Sequence, residues 1–521
     1  MKSIFKNRFK KFSVGLVLII ILLSSKANQE VKEESPNILW IYLEDTSPLL
    51  SCYDYPLSQT PNIDKLADNG VRFTNAFMPA PVCSACRSGI IIGMMPTSIN
   101  AQNHHSSRTK ESAIYLREDI KTIPELFKDE GYYTFNNGKD DYNFVYNRFD
   151  LYDQDYFEHP LYGKSGERID LAVLKDKAPF FGQIQLYGGK EIFSSEFKNR
   201  VKNPVDRSKI VLPPYLPNDS VIIEEYANHI DAIQITDNRL GEIMEKLRKE
   251  GLLENTIIFF FSDHGMRLTR HKQFLYDGGI HVPLIVCRYK NNKAVKGGIV
   301  REDLISGLDI GTTSLGLAGI EIPEYMEGVD FFAEDFNGRE YVISSRDRCD
   351  FSIDRIRSVR GKEFKYIRNY MTDRPYMQKS YMDVDSVPFV LRMKTLYEEN
   401  KLNEVQARFM SDERPAEELY DLINDPFEVN NLADDPTYSE VLKQYQNILN
   451  QWVKNTDDKG QYPEDIEGLK FMLGIWGKHV VNPEYEPLKK ENKNFGGSLF
   501  YMKSEKWKKF SNSKQQSNEE K

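Results

Sequence analysis

A six-residue run without a charged side chain, Ile38-Leu39-Trp40-Ile41-Tyr42-Leu43, constrains the fold more than any other feature. A strand that is apolar at every position must be covered on both faces. Comparable runs recur at Tyr132–Phe135, Phe180–Leu186, Thr256–Phe261, Pro283–Cys287 and Tyr341–Ser344. Helical patterns stand between them. Thr60-Pro61 through Gly70 reads as a helix with a Thr cap, Pro in its first turn and Gly at its end, and Thr122–Glu130 reads as another. The longest, from about 221 to 250, spaces Ile223, Tyr226, Ile230, Ile233, Leu240, Ile243 and Leu247 near a 3.6-residue period before Gly251 stops it. Strands alternating with helices predict an α/β fold, with a large, mostly parallel sheet sandwiched by helices.

The 521 residues, 40% hydrophobic and 28% charged, suit one large domain with an appendage. The main α/β domain is expected over residues 36–350. From Phe351 the pattern changes: Arg355–Ile367 alternates like a hairpin turning at Gly361, and amphipathic helices follow near 387–411 and 438–456. Residues 351–502 therefore read as a smaller C-terminal α+β subdomain with an antiparallel sheet. Its stretch 367–415, rich in Tyr, Arg and Met, is expected to wall a cleft. Residues 503–521 are polar and are expected to be a disordered tail.

Lys6, Arg8, Lys10 and Lys11 precede the ten-residue run Val14–Leu23 and then Ser25-Lys26-Ala27, which reads as a signal peptide over 1–27. The rival reading, a membrane anchor, needs about 20 apolar residues. An exported protein, periplasmic or secreted and not stably inserted in a membrane, is the expectation. Losing residues 1–27, with six basic and no acidic side chains, takes the net charge from −9 to −15. A field of that sign disfavours nucleic acid and other polyanions, so any anionic substrate needs a local basic pocket. Five scattered cysteines, Cys52, Cys83, Cys86, Cys287 and Cys349, do not make a disulfide scaffold.

In α/β sheets ligands collect at the carboxyl ends of strands. Glu44-Asp45 follow the first strand and Asp263-His264-Gly265 follow the run Thr256–Phe261, so the two pairs can share a hard divalent cation through oxygen ligands, with His264 adding a nitrogen or a hydrogen bond. Capping of a turn is the plainer reading of the first pair. Cys83-Ser84-Ala85-Cys86-Arg87 sets a cysteine and an arginine one helical turn apart, although Cys83 also reads as a small buried hydrophobe.

Taken together, Pro36–Asp45, Gln59–Ala67, the Cys83 pentapeptide, Gly138-Lys139, Ser262–Gly265, Lys272 with Tyr276–Pro283, and Glu418–Leu422 with Asp425–Glu428 and Asn431–Ala433 occur in an order and spacing that resembles the formylglycine-dependent sulfatases. The stretch 369–422 is similar to the branch with heparan N-sulfatase-like and bacterial polysaccharide sulfatases. The resemblance spans nearly the whole mature chain and implies an alkaline-phosphatase-like fold, one Ca2+ and hydrolysis of sulfate esters. It implies that a maturation enzyme oxidises Cys83 to formylglycine (3-oxoalanine), whose hydrate offers one hydroxyl to attack sulfur and a second whose proton loss expels the sulfate. Glu44, Asp45, Asp263 and His264, with the modified Cys83, are the implied metal ligands. Arg87, Lys139 and Lys272 are the implied cations around the sulfate. A sulfated carbohydrate such as ulvan, carrageenan or a glycosaminoglycan is the implied substrate.

Three departures stand out. Glu44 occupies a position where the family usually has Asp, and Ala85 replaces the commoner Pro. Neither Gly138-Lys139-Asp140-Asp141 nor Pro179–Lys190 carries the histidine that family members place there, so Lys190 is read as the general acid, with neighbouring Lys139, Lys272 and Arg87 lowering its pKa. A solvent-facing loop lysine is the alternative. His104-His105 are expected at a sugar-binding mouth or in an exposed loop; one of His271 and His281 is expected to face substrate, and Arg346 is expected to contact a carboxylate or sulfate, as is Arg348. Two rival functions share the scaffold: a phosphomonoester or phosphonate hydrolase, and a non-catalytic glycan-binding relative with an unmodified Cys83.

Overall fold

A computed structural model describes residues 35–155 and 171–491. The expected signal segment 1–27, residues 492–502 of the expected subdomain and the expected tail 503–521 lie outside the described residues. No helix among the described residues is long and apolar enough to cross a membrane. None of the five cysteines is disulfide-bonded.

The large sheet contains β1 Asn37–Leu43, β2 Val71–Phe77, β3 Tyr133–Asn137, β4 Gln154–Asp155, β5 Phe180–Leu186, β6 Asn255–Ser262, β7 His281–Lys290, β8 Lys293–Ala294 and β9 Ile299–Ser306. Its order is β4-β3-β5-β1-β6-β7-β2-β9, with β8 paired to β7. Pairing is parallel from β4 through β6 and again between β2 and β9. It turns antiparallel where β7 lies between β6 and β2, and in the β7–β8 hairpin. The sheet is thus mostly parallel, as expected, and mixed only through β7, which pairs antiparallel with each of its neighbours.

All seven residues of the central β1 are buried. Because successive side chains point to opposite faces, the strand serves two cores. Trp40 meets Phe181 and Phe261 edge-on at 5.1 and 5.7 Å on one face, under the helices Cys83–Ile90, Ile123–Asp129 and Asp309–Ala318. Leu39, Ile41 and Leu43 on the other face pack beneath the helix Ser220–Lys249 through its Ile233, Leu240, Ile243 and Leu247. Each such side chain, fully buried, contributes about 1.5–3 kcal/mol.

A second sheet, antiparallel throughout, runs β10 Tyr341–Arg346, β11 Ile356–Gly361, β12 Phe364–Asn369, β13 Glu417–Asp421. The β11–β12 pair is the expected hairpin. Tyr341–Ser344 was expected to extend the large sheet; it instead pairs with β11, from Tyr341 beside Gly361 to Arg346 beside Ile356. A short return suffices for an antiparallel partner, whereas a parallel place requires a crossover. The small sheet thus starts before residue 351. Helix Ser439–Thr456 covers it with Tyr445 and Leu449 on Val359, Tyr366 and Leu419.

Candidate active site

Two neighbouring strand ends position the acids. Because β1 and β6 are parallel, with Leu43 beside Ser262, Glu44-Asp45 and Asp263-His264 leave the sheet side by side. Asp263 N donates to Leu43 O at 3.1 Å and Thr46 N to His264 O at 3.0 Å. Asp45 turns away with φ 53°, a left-handed backbone that Asp adopts more readily than most residues. Gly265 is required next, since a Cβ there would run into the Gly278 carbonyl oxygen.

His264 Nδ1 lies 2.9 Å from Gly265 O, a pure acceptor, so that nitrogen carries the proton. Its buried Nε2 makes no hydrogen bond and faces Asp45 Oδ1 at 3.4 Å and Asp263 Oδ1 at 3.6 Å. A nitrogen lone pair against two carboxylates is repulsive unless a cation lies among them. Ligand atoms of Asp45, Asp263 and His264 all fall within 4.8 Å of one another, and this donor set fits a divalent cation.

Cys83 opens the helix Cys83–Ile90 after the extended Val82, and all eight helical residues are buried. One turn on, Arg87 donates from Nε to Asp263 Oδ2 at 3.0 Å, from Nη2 to Glu44 Oε1 at 3.0 Å and from Nη1 to Lys139 O at 3.0 Å. Lys139 Nζ stands 3.3 Å from Glu44 Oε1 and 2.8 Å from Asp141 Oδ2. Lys190 Nζ stands 2.7 Å from Glu44 Oε2, and Lys272 Nζ 2.8 Å from Asp45 Oδ1. Burial alone would raise the Glu44 carboxyl, but Lys139, Lys190 and Arg87 hold it well below the usual range. Asp45 is likewise lowered against burial, chiefly by Lys272.

His104 reaches the nucleophile position directly. Its Nε2 is 3.4 Å from Cys83 Sγ and its Nδ1 is 3.3 Å from Asp350 Oδ1. Burial lowers this imidazole, yet Asp350 and then Cys83 outweigh burial and raise it to about 9. Burial raises the Cys83 thiol, but Lys139 and His104 leave it well below its ordinary value. His105 stacks on His104 with centroids 3.7 Å apart and faces Asp350 at 3.4 Å and Asp141 at 3.6 Å. His105, Asp141 and Asp350 all hold left-handed backbones, with φ of 56°, 57° and 48°, and such strain gathers at functional sites.

The structure therefore brings together Glu44, Asp45, Cys83, Arg87, Lys139, Lys190, Asp263, His264 and Lys272. His104 was expected at a sugar-binding mouth or in an exposed loop; it is instead buried against Cys83 because Arg348 O accepts from its backbone N–H at 2.9 Å and Asp350 holds its ring. His105 is drawn inward with it. Lys190 lies among the expected cations, sharing Glu44 with Lys139 and Arg87 and Asp45 with Lys272, and its nearest charged neighbour is the Glu44 carboxylate. Arg346 is not open to substrate: it is 2% exposed and paired with Asp354. Arg348 is clamped by Glu464. His271 Nδ1 bonds Thr269 O at 2.8 Å, and burial moves that ring down to about 4. His281 Nε2 lies 2.8 Å from Thr74 O, with its ring stacked on Phe77. Sequence reasoning missed Asp350 and Asp141. Only the absence of a histidine two residues after Lys139, beside a surplus His pair, hinted that another imidazole takes part.

The model of the family described as Sulfatase matches residues 36–320, and that described as N-sulphoglucosamine sulphohydrolase, C-terminal, matches residues 264–414. An ulvan-active sulfatase of Formosa agariphila is 31% identical over 92% of this chain and 86% of its own length. Human N-sulphoglucosamine sulphohydrolase is 23% identical over 81% of this chain and 90% of its own. Among solved structures, a 2-O GAG sulfatase superimposes with TM-score 0.57 at 19% identity, covering 84% of this chain and 96% of that one. The phosphonate monoester hydrolase of Agrobacterium radiobacter gives 0.57 at 17%, covering 81% and 96%. These likenesses agree with the alkaline-phosphatase-like layering of the fold. With a family match over more than half its length, and the strand-end acids and Cys83 in place, the chain belongs to the sulfatase family and is a sulfuric ester hydrolase.

Proposed function

We propose that this protein is an exported sulfatase that removes sulfate esters from a sulfated carbohydrate, using a formylglycine made from Cys83 and a Ca2+ held by Glu44, Asp45, Asp263 and His264. One observation carries the reading: from one turn after Cys83, Arg87 donates to both Glu44 and Asp263 at 3.0 Å, which ties the nucleophile helix to the acids of both strand ends. The carbohydrate class is supported by relatives named as ulvan-active and N-sulphoglucosamine enzymes. Export is supported by the pattern of residues 1–27.

The aldehyde hydrate supplies one hydroxyl to attack sulfur and another that yields its proton as sulfate departs, and the bound dication supplies positive charge beside the sulfuryl oxygens. This chain's own residues do the rest. Lys139 and Lys272 set fixed ammonium groups around the nucleophile position and spread the developing charge. Arg87 holds the acids in place. Lys190, whose Nζ stands 2.7 Å from Glu44 Oε2, is the ammonium that protonates the leaving alcohol. His104 accepts the proton of the second hydroxyl, oriented by Asp350. Part of what raises this imidazole is the Cys83 sulfur itself; a neutral hydrate removes that contribution, so that His104 holds its own proton less tightly and more of it stands in the neutral form that can accept one.

The test joins two measurements on protein expressed with a maturation enzyme. Mass spectrometry of the tryptic peptide containing Cys83 should show the deficit that separates an aldehyde from a thiol. The same preparation should release inorganic sulfate from sulfated oligosaccharides faster than phosphate from matched phosphate esters. An intact thiol in protein from the native host, with glycan retention and no sulfate release, would overturn the proposal in favour of a binding module.

A further inference from the structure

Three residues after His264, at the rim of the catalytic centre, Arg267 is 5% exposed yet has no hydrogen-bonded anionic partner. Its guanidinium is held between two rings, with Cζ 4.8 Å from the Phe193 centroid and 5.6 Å from that of Tyr381. Its Nε is buried without a hydrogen bond, and its nearest carboxylate, Asp385, stands 3.9 Å from Nη2 with a side chain 44% exposed. Tyr381 Oη is a second buried polar atom without a partner. A buried guanidinium without a close anion is costly, and a folded chain retains one where something outside the chain completes it.

The surroundings say what that is. Phe193 lies one turn after Lys190 in the 3-10 helix Gly188–Phe193, so both project from one face. Lys190 reaches Glu44 in the centre, while Phe193 is 50% exposed at the rim and offers a flat apolar face. Burial pushes the Tyr381 phenol up to about 12, and the cations that pull it back are Lys272 first and Arg267 second. His229 Nε2, 3.2 Å from Arg267 O, fixes the backbone beneath.

We infer that Phe193, Arg267 and Tyr381 form a second subsite that binds the sugar next to the one being desulfated, stacking its ring on Phe193 and pairing its anionic substituent with Arg267 and Tyr381 Oη. The inference rests on the sulfatase reading and narrows its substrate to glycans with an anion on the adjoining residue. A carboxylate and a second sulfate present the same planar or tripodal oxygens to the guanidinium fork. Asp385 is the placeholder that such an anion displaces.

The test compares matured enzyme with Arg267→Met and Tyr381→Phe on two substrate pairs. One pair consists of a sulfated disaccharide with a uronate neighbour and its carboxyl-reduced analogue; the other differs only by a second sulfate on that neighbour. The reading is the ratio of kcat/KM within each pair, which a general loss of activity or folded fraction does not move. Arg267→Met should lower the ratio about tenfold or more, as expected for a lost charge-assisted hydrogen bond, and Tyr381→Phe should lower it by less. A fall confined to one pair identifies carboxylate or sulfate as the anion. Ratios unchanged by Arg267→Met, or near one in the parent enzyme, overturn the inference alone. Failure of the parent to release sulfate from every substrate, an aryl sulfate included, overturns the sulfatase reading and the subsite with it.

Discussion

The Nε2 atom of His104 stands 3.4 Å from the sulfur of Cys83, and no other imidazole of the described residues lies within hydrogen-bonding distance of that sulfur. If His104 takes the proton whose loss expels sulfate, His104→Ala should release the first equivalent of an aryl leaving group in a burst and then slow by about 100-fold or more. Rapid-mixing kinetics on an aryl sulfate reads both phases. Loss of the burst together with the steady rate would assign His104 to the first step instead.

Lys190 carries a different expectation. Aryl alcohols leave unaided, whereas an alkyl alcohol needs a proton, so Lys190→Ala should cut kcat on an alkyl sulfate by about 100-fold or more and spare an aryl sulfate by comparison. Equal losses on both would reduce Lys190 to a counter-ion of Glu44, the role its 2.7 Å contact alone describes.

Whatever is set by local pattern was legible in the chain. The apolar run at 38–43 is the central strand because every position is buried, and the acids after it and after β6 meet because a parallel neighbour places strand ends together. What escaped depends on contacts between distant segments. Asp350 comes 246 residues after His104, and nothing local to either tells that Arg348 O and Asp350 draw the pair of histidines inward. Tyr341–Ser344 carries the same apolar signature as a core strand, and only its partner, β11, assigns it to the small sheet.

Metal binding should appear in stability. A cation that binds the folded but not the unfolded chain stabilises by about 2.7 kcal/mol at a hundredfold excess over its Kd. Chelation should therefore lower Tm, Ca2+ should restore it, and His264→Ala, which removes the buried unbonded Nε2, should blunt the response. A melting curve indifferent to chelator and Ca2+ would remove the metal from the site.

Asp347 and Asp458 share one buried cation, with Arg357 Nη2 3.1 Å from Asp347 Oδ1 and 2.8 Å from Asp458 Oδ1. Burial, with Asp458 adding to it, pushes the Asp347 carboxyl up to about 6, although Arg357 pulls the other way; Asp458 is held low by the same arginine. An unfolded Asp titrates near 3.9, so between about pH 4 and 6 the folded chain binds a proton that the unfolded chain has released. Its contribution is complete below pH 4 and is lost as pH rises through 6, a change of about 3 kcal/mol. Asp347→Asn keeps an acceptor for Arg357 without the charge, so the variant should gain on the parent by about that amount from pH 4 to pH 7. Urea midpoints at the two pH values measure the difference, and a constant gap would show that Asp347 stays ionised beside Arg357 throughout.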